Sequence, residues 1–321
     1  MALATSRFRL DPRWPALAFA LVACLVTVQC SGGGKSGGTP TAPSVPGPSN
    51  PTPTPVPVGP EVFVGAGDIA ICGGSAEATA RQLDGIGGTV FTLGDNAYPN
   101  GSPENFRDCY ESSWGRHKSR TRPTPGNHDY GIPGAAPYYD YFGANAGPSG
   151  LGYYSFDLGA WHIISLNSNI PDSGSAQLAW LRSDLAASSA RCTLAYWHHP
   201  VFSSGPNAVN ASEAPIRAYG KQLYQALYDA NADLVMVGHE HMYERFSPQN
   251  PEGVLDTARG IRQFVIGTGG VPLYDVQSVR ANSETRLKVH GVMKLTLSSD
   301  RYQWEFLPVS GAGDSGAQTC H

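Results

Sequence analysis

Short apolar runs rich in β-branched and aromatic residues recur along the chain, at 62–66, 89–93, 153–158, 161–166, 192–197, 234–237, 263–266, 292–297 and 302–307. Runs of this length and composition predict strands. Between them, 76–83, 176–185 and 216–228 carry apolar residues at three- and four-residue spacing, which predicts amphipathic helices. Strands alternating with helices indicate a layered α/β fold. The last strands follow one another without a helix between them, so the pattern favours a sandwich of two mixed sheets flanked by helices over one doubly wound parallel sheet.

The first 60 residues follow a different pattern. Arg7, Arg9 and Arg13 precede an apolar stretch at 14–28 that is short for a spanning helix, so residues 1–30 read as an export signal. Leu21-Val22-Ala23-Cys24 resembles a bacterial lipobox, while Cys30 is followed by a Ser/Gly tether. A lipoprotein anchored at Cys24 or Cys30, a cleaved secretory peptide and an uncleaved anchor all stay open. Residues 31–60 are almost wholly Gly, Ser, Thr, Pro, Val and Ala and cannot bury a core, so they read as a linker. The folded, catalytic domain is expected over 61–321, outside the cytoplasm: extracellular, periplasmic or on the cell surface.

Charge narrows the partners. The 321-residue chain has 22 Lys plus Arg against 26 Asp plus Glu, with no basic run. That gives no electrostatic footprint for a nucleic-acid scaffold. Membrane contact is expected only through an N-terminal lipid anchor. Abundant Gly and Pro with few charges point to many turns and long loops on a rigid scaffold, and loops tend to carry sites.

Four short motifs directly follow strand-like runs: Gly67-Asp68, Gly94-Asp95-Asn96-Ala97-Tyr98, His198-His199-Pro200 and Gly238-His239-Glu240-His241. A fifth, Gly126-Asn127-His128-Asp129, follows a Pro-containing segment. Loops beyond the carboxyl ends of strands converge on one crevice in such sheets, so all five can serve one site. Singly, each has a bland reading as a turn, a helix cap or a core histidine. Two histidines separated by one residue after an apolar run seldom serve packing, and the set in this order predicts a metal site.

These motifs resemble those of the calcineurin-like metallophosphoesterases, and most closely the purple acid phosphatases. The resemblance spans about residues 62–307 and is most specific in Gly238-His239-Glu240-His241-Met242-Tyr243-Glu244-Arg245. It implies a two-sheet sandwich flanked by helices and a dinuclear phosphohydrolase that attacks phosphate monoesters with metal-bound hydroxide. A phosphodiesterase or nucleotidase with the same site, or a non-catalytic metal-binding surface lipoprotein, are the alternatives. By the resemblance, Asp68, Tyr98 and His241 bind the first metal, Asn127, His198 and His239 the second, and Asp95 bridges both. Anionic oxygen donors suit Fe(III) at the first site, and the amide and imidazoles suit Zn, Mn or Fe(II) at the second.

His128, with Asp129 to orient it, is the expected acid beside the leaving group. The substrate phosphate ester is expected to meet Asn127, His128, His199 and Ser204. The last follows from a departure: vertebrate-type members carry a substrate-facing histidine where this chain has Val201-Phe202-Ser203-Ser204-Gly205-Pro206, leaving Ser203 or Ser204 to make that contact. A second departure is Ala70, where many members of the superfamily have a ligand histidine two residues after the first Asp; Tyr98 then supplies the missing donor. His117, His162, His290 and His321 lie outside the motifs and read as structural or solvent-exposed. Four cysteines remain in the domain; three pairings exist. Cys72 with Cys109 is preferred because both lie just beyond neighbouring motifs, and Cys192 with Cys320 follows by elimination.

Overall fold

The computed structural model describes residues 59–170 and 174–321. The expected export signal at 1–30, with Cys24 and Cys30, lies outside the described residues, as does the linker apart from Gly59 and Pro60.

In chain order the strands are β1 (Glu61–Ala66), β2 (Thr89–Leu93), β3 (Thr121–Thr124), β4 (Tyr154–Leu158), β5 (Trp161–Ser165), β6 (Cys192–Trp197) and β7 (Leu234–Val237). They continue as β8 (Tyr243–Phe246), β9 (Arg262–Ile266), β10 (Ser283–Leu287), β11 (Gly291–Leu297), β12 (Arg301–Pro308) and β13 (Asp314–Thr319). The helices are α1 (Ala76–Asp84), the single turn α2 (Pro103–Asn105), α3 (Ala136–Phe142), α4 (Gly174–Ala187) and α5 (Ala214–Asp229). The strands form a six-stranded sheet, β13-β12-β11-β1-β2-β3, and a seven-stranded sheet, β10-β8-β9-β7-β6-β5-β4. Both are mixed: β1, β2 and β3 run parallel, as do β5, β6, β7 and β9, and the rest pair antiparallel.

The period-2 geometry of a strand explains why the seven-stranded sheet reads as unbroken apolar runs. In β6, Leu194 and Tyr196 join the core between the sheets, while Ala195 and Trp197 face the cluster containing Leu181, Leu223 and Leu227 of α4 and α5. In β7, Leu234 and Met236 face one way and Val235 and Val237 the other. Aromatic rings close the gap between the sheets, with Phe63 of β1 4.8 Å from Phe91 and 5.7 Å from Tyr196. All nine expected strands and three expected helices are present, within two residues of the expected ends.

The strands that the apolar pattern passes over are mostly sheet edges. β3, β10 and β13 each have a single neighbour and carry mainly polar side chains, and β3 accommodates Pro123 because an edge strand can spare a donor. Both expected disulfides form, Cys72–Cys109 and Cys192–Cys320; the latter ties the chain end to β6 across a separation of 128 residues. Closing a loop of that length is worth about 4 to 5 kcal/mol in the chain-entropy view.

His162 of β5 is structural, as expected. It lies between Asp184 of α4 at 2.8 Å and Asp157 of β4 at 3.1 Å, and so pins the helix to the sheet. The Asp184 hydrogen bond, opposed by burial and aided by Asp157, raises the imidazole above its ordinary 6.5. A raised folded pKa gives stability that is complete below the unfolded value and is lost as pH climbs through the folded one. His162→Gln is therefore expected to melt about 3 °C below the wild type at pH 5.5, with the gap closing by pH 8.5. Equal gaps at both pH values in a calorimetric scan would show that the imidazolium contributes nothing.

Candidate metal centre

Five loops leave the carboxyl ends of parallel strands and meet. β1 leads to Asp68, β2 to Asp95 and Tyr98, β3 to Asn127, β6 to His198, and β7 to His239 and His241. Backbone hydrogen bonds stitch these loops together: Asp68 N to Gly94 O at 3.0 Å, Gly238 N to His198 O at 2.9 Å, and Gly67 N to Ile266 O at 2.8 Å. Asp68, Asp95 and His239 adopt left-handed backbone, with φ of 59°, 52° and 69°. Such conformations cost of order 1 kcal/mol or more and persist where surrounding contacts over-determine them. Glycine lets the loops close: a Cβ on Gly126 would lie 2.1 Å from Asp95 Oδ1, and one on Gly94 (φ 82°) 2.6 Å from His198 Nδ1.

The converging atoms fall into two foci. At the first, Tyr98 Oη lies 2.8 Å from Asp95 Oδ2, 3.0 Å from Asp68 Oδ1 and 3.2 Å from His241 Nε2. At the second, His198 Nε2 lies 3.0 Å from Asn127 Oδ1, 3.2 Å from His239 Nδ1 and 3.3 Å from Asp95 Oδ2. One oxygen, Asp95 Oδ2, belongs to both. Its partner Oδ1 accepts the His128 backbone N–H at 2.8 Å, which fixes the carboxylate.

Charge in this buried cluster is unevenly distributed. Burial pushes the Asp95 carboxyl up, but the charge of His198 and its hydrogen bond outweigh this and hold Asp95 well below the carboxylate range. Burial lowers His198 and the Asp95 carboxylate raises it, for a net rise to about 9. Burial, then Asp95 and Asp68, push the Tyr98 phenol well above 10. A phenolate at this position therefore needs a cation among the same oxygens.

The donor set fits a pair of ions. The first focus offers oxygen from Asp68, Asp95 and Tyr98 with one imidazole; the second offers an amide oxygen, two imidazoles and the shared carboxylate. Each histidine is anchored through its outward nitrogen, as ligand histidines are. His198 Nδ1 meets Leu93 O at 2.7 Å, His241 Nδ1 meets Pro272 O at 2.7 Å, and His239 Nε2 meets Glu213 at 3.1 Å. Tyr274 stacks on His241 with ring centroids 4.0 Å apart. No motif in the sequence marks Glu213, Pro272 or Tyr274, which reach the site from distant segments.

The remaining expected residues divide. Asn127 is exposed and His128 partly so, which puts both at the open side of the cluster. His128 Nδ1 meets Pro99 O at 2.5 Å, and its Nε2 lies 3.8 Å from Asp95 Oδ2. Asp129 does not orient His128. Its buried carboxylate turns back to accept from Gly126 N at 2.8 Å and Asn96 Nδ2 at 2.9 Å, bracing the two loops beside Asn127 and Asp95. Burial, with the Asp95 charge, lifts Asp129 to about 7.

His199 is buried, its Nδ1 2.8 Å from Ser168 Oγ and its ring 4.5 Å from that of His239. Its burial and the neighbouring histidines hold it well below 6.5, so it is a neutral ring beside the second focus. Ser204 is displaced from the expected phosphate contact. Its hydroxyl donates to Glu244 and accepts from Arg280 N at 3.0 Å, while its backbone N–H donates to Glu244 at 2.8 Å. Ser203 is likewise buried, accepting from Gly205 N.

A family model described as calcineurin-like phosphoesterase matches residues 62–243. Purple acid phosphatase 15 of Arabidopsis thaliana is 27 % identical over 239 residues, which is 64 % of this chain and 44 % of that protein. Purple acid phosphatase 21 of the same plant is 31 % identical over 222 residues, 61 % of this chain and 47 % of that protein. The chain thus spans less than half the length of either relative. Among solved structures, a purple acid phosphatase from yellow lupin (Lupinus luteus) seeds superposes with TM-score 0.66 at 20 % identity, over 83 % of this chain and 55 % of that one. GAP50, the anchor in the inner membrane complex of Plasmodium, superposes with TM-score 0.61 at 15 % identity, over 82 % and 90 %. At these identities the structural likeness speaks to the fold alone.

Proposed function

The chain belongs to the calcineurin-like phosphoesterase family, and from that premise we propose that it is a two-metal phosphohydrolase of purple acid phosphatase type, acting on small phosphate monoesters. The observation that carries this reading is the pair of donor foci sharing Asp95 Oδ2. The similarity to purple acid phosphatases supports the finer assignment, as does Tyr98 at the first focus where Ala70 cannot ligate.

Asp68, Tyr98 and His241 would hold one ion, Asn127, His198 and His239 the other, with Asp95 between. Fe(III) at the first site and Zn, Mn or Fe(II) at the second match the two donor sets. Two ions there would supply an acidified water and the positive charge that a phosphoryl group needs during in-line displacement. Asn127 and His128, facing solvent beside the foci, are placed to meet the phosphate and the departing oxygen. With Nδ1 on the Pro99 carbonyl, His128 keeps Nε2 free to hand a proton to that oxygen. An exported catalytic domain over 61–321 behind a signal and linker suits the two disulfides, which persist in oxidising compartments.

The test is turnover of an aryl phosphate and of the matching bis-aryl diester. The monoester is expected to turn over at least about 10-fold faster, an advantage of about 1.4 kcal/mol. Prolonged chelation should abolish turnover, and added metal should restore it. A faster diester would move the protein to the phosphodiesterase reading, and no turnover with both sites loaded would make it a metal-binding protein without catalysis.

A further inference from the structure

We infer that Glu213 is the positioning residue of the second focus, holding the His239 ring by Nε2 so that Nδ1 faces His198 Nε2. The inference rests on the two-ion reading above. It starts from a difference among the three histidines. His198 and His241 are anchored on backbone carbonyls, those of Leu93 and Pro272, whereas His239 is anchored on a carboxylate, Glu213 Oε2, at 3.1 Å. A carboxylate holds an imidazole N–H more strongly than a neutral carbonyl does and increases the donor strength of the opposite nitrogen.

The carboxylate is itself prearranged. Asn210 Nδ2 donates to Glu213 Oε1 at 3.2 Å, and Arg217 Nη1 lies 3.9 Å from Oε2. The same Asn210 closes the short turn that opens α5, its Oδ1 accepting from Ser212 N at 3.1 Å and Ser212 Oγ at 2.8 Å. One turn therefore fixes both the backbone and the side chain that meets His239. The segment between β6 and α5 thus serves the centre through Glu213, although Ser204 within it makes no phosphate contact. Glu213 and His239 also line a cavity of about 500 Å³, so shortening the side chain opens into existing space and leaves no void in the core.

The experiment is calorimetric titration of the metal-free full chain with Zn²⁺ alone. Wild type is expected to take two ions with separable affinities. Glu213→Ala should weaken one of them about 10- to 100-fold, as loss of such a partner does. Glu213→Gln, which keeps the shape without the charge, should fall between Ala and wild type. The other affinity should stay within about two-fold, whereas a merely structural role would weaken both sites alike. Two unchanged affinities in Glu213→Ala, or equal loss at both sites, would overturn the role of Glu213. A wild type that takes a single ion would instead overturn the two-ion reading on which it rests.

Discussion

Asp95→Asn is expected to lower phosphate-ester turnover by about 10³-fold, equivalent to about 4 kcal/mol of barrier. The reason is that Asp95 Oδ2 lies 2.8 Å from Tyr98 Oη and 3.3 Å from His198 Nε2, so one atom serves both foci. Its loss should separate the two sites instead of weakening one. Asparagine is the informative replacement because residue 95 has φ 52°, a conformation that Asn adopts more readily than Ala. The amide oxygen can also keep the hydrogen bond from His128 N, so the loop should survive. Steady-state kinetics beside a melting curve check this. A folded variant with two ions and near-normal turnover would remove Asp95 from the centre.

Tyr98→Phe is expected to abolish a visible tyrosinate-to-iron absorption in the aerobically purified protein. The hydroxyl removed lies within 3.2 Å of Asp68, Asp95 and His241, so its loss takes the phenol oxygen out of the first focus. Burial and two carboxylates keep the phenol protonated in the absence of a cation, and a hard trivalent ion reverses that balance. An iron-loaded, active wild type with no such band, or a Phe variant with the band unchanged, would show that Tyr98 is not a ligand.

What was legible in the sequence follows from what local spacing can encode. Asp68, Asp95, His198 and the His239/His241 pair could be found because each directly follows an apolar run that reads as a strand. Tyr98 was legible by substitution, since Ala70 left a donor missing. Side-chain direction was not. Asp129 and Ser204 stand next to site motifs in the chain, yet one folds back on Gly126 and Asn96 and the other pairs with Glu244, 40 residues away. Glu213 is the converse case, invisible because its partner His239 is 26 residues distant and no motif links them. Among the strands, β3, β10 and β13 were missed as polar edges, and β8 because Glu244 and Arg245 interrupt its apolar character. Glu244 is buried only because Ser204 and Ser283 satisfy it.

The central claim is a shared two-ion centre, and anomalous scattering from crystals of the full chain purified without chelator tests it most directly. Two peaks are expected about 3.5 to 4 Å apart, one among Asp68, Tyr98 and His241, the other among Asn127, His198 and His239, with Asp95 between them. A single peak, or none, in protein that hydrolyses the ester would contradict it.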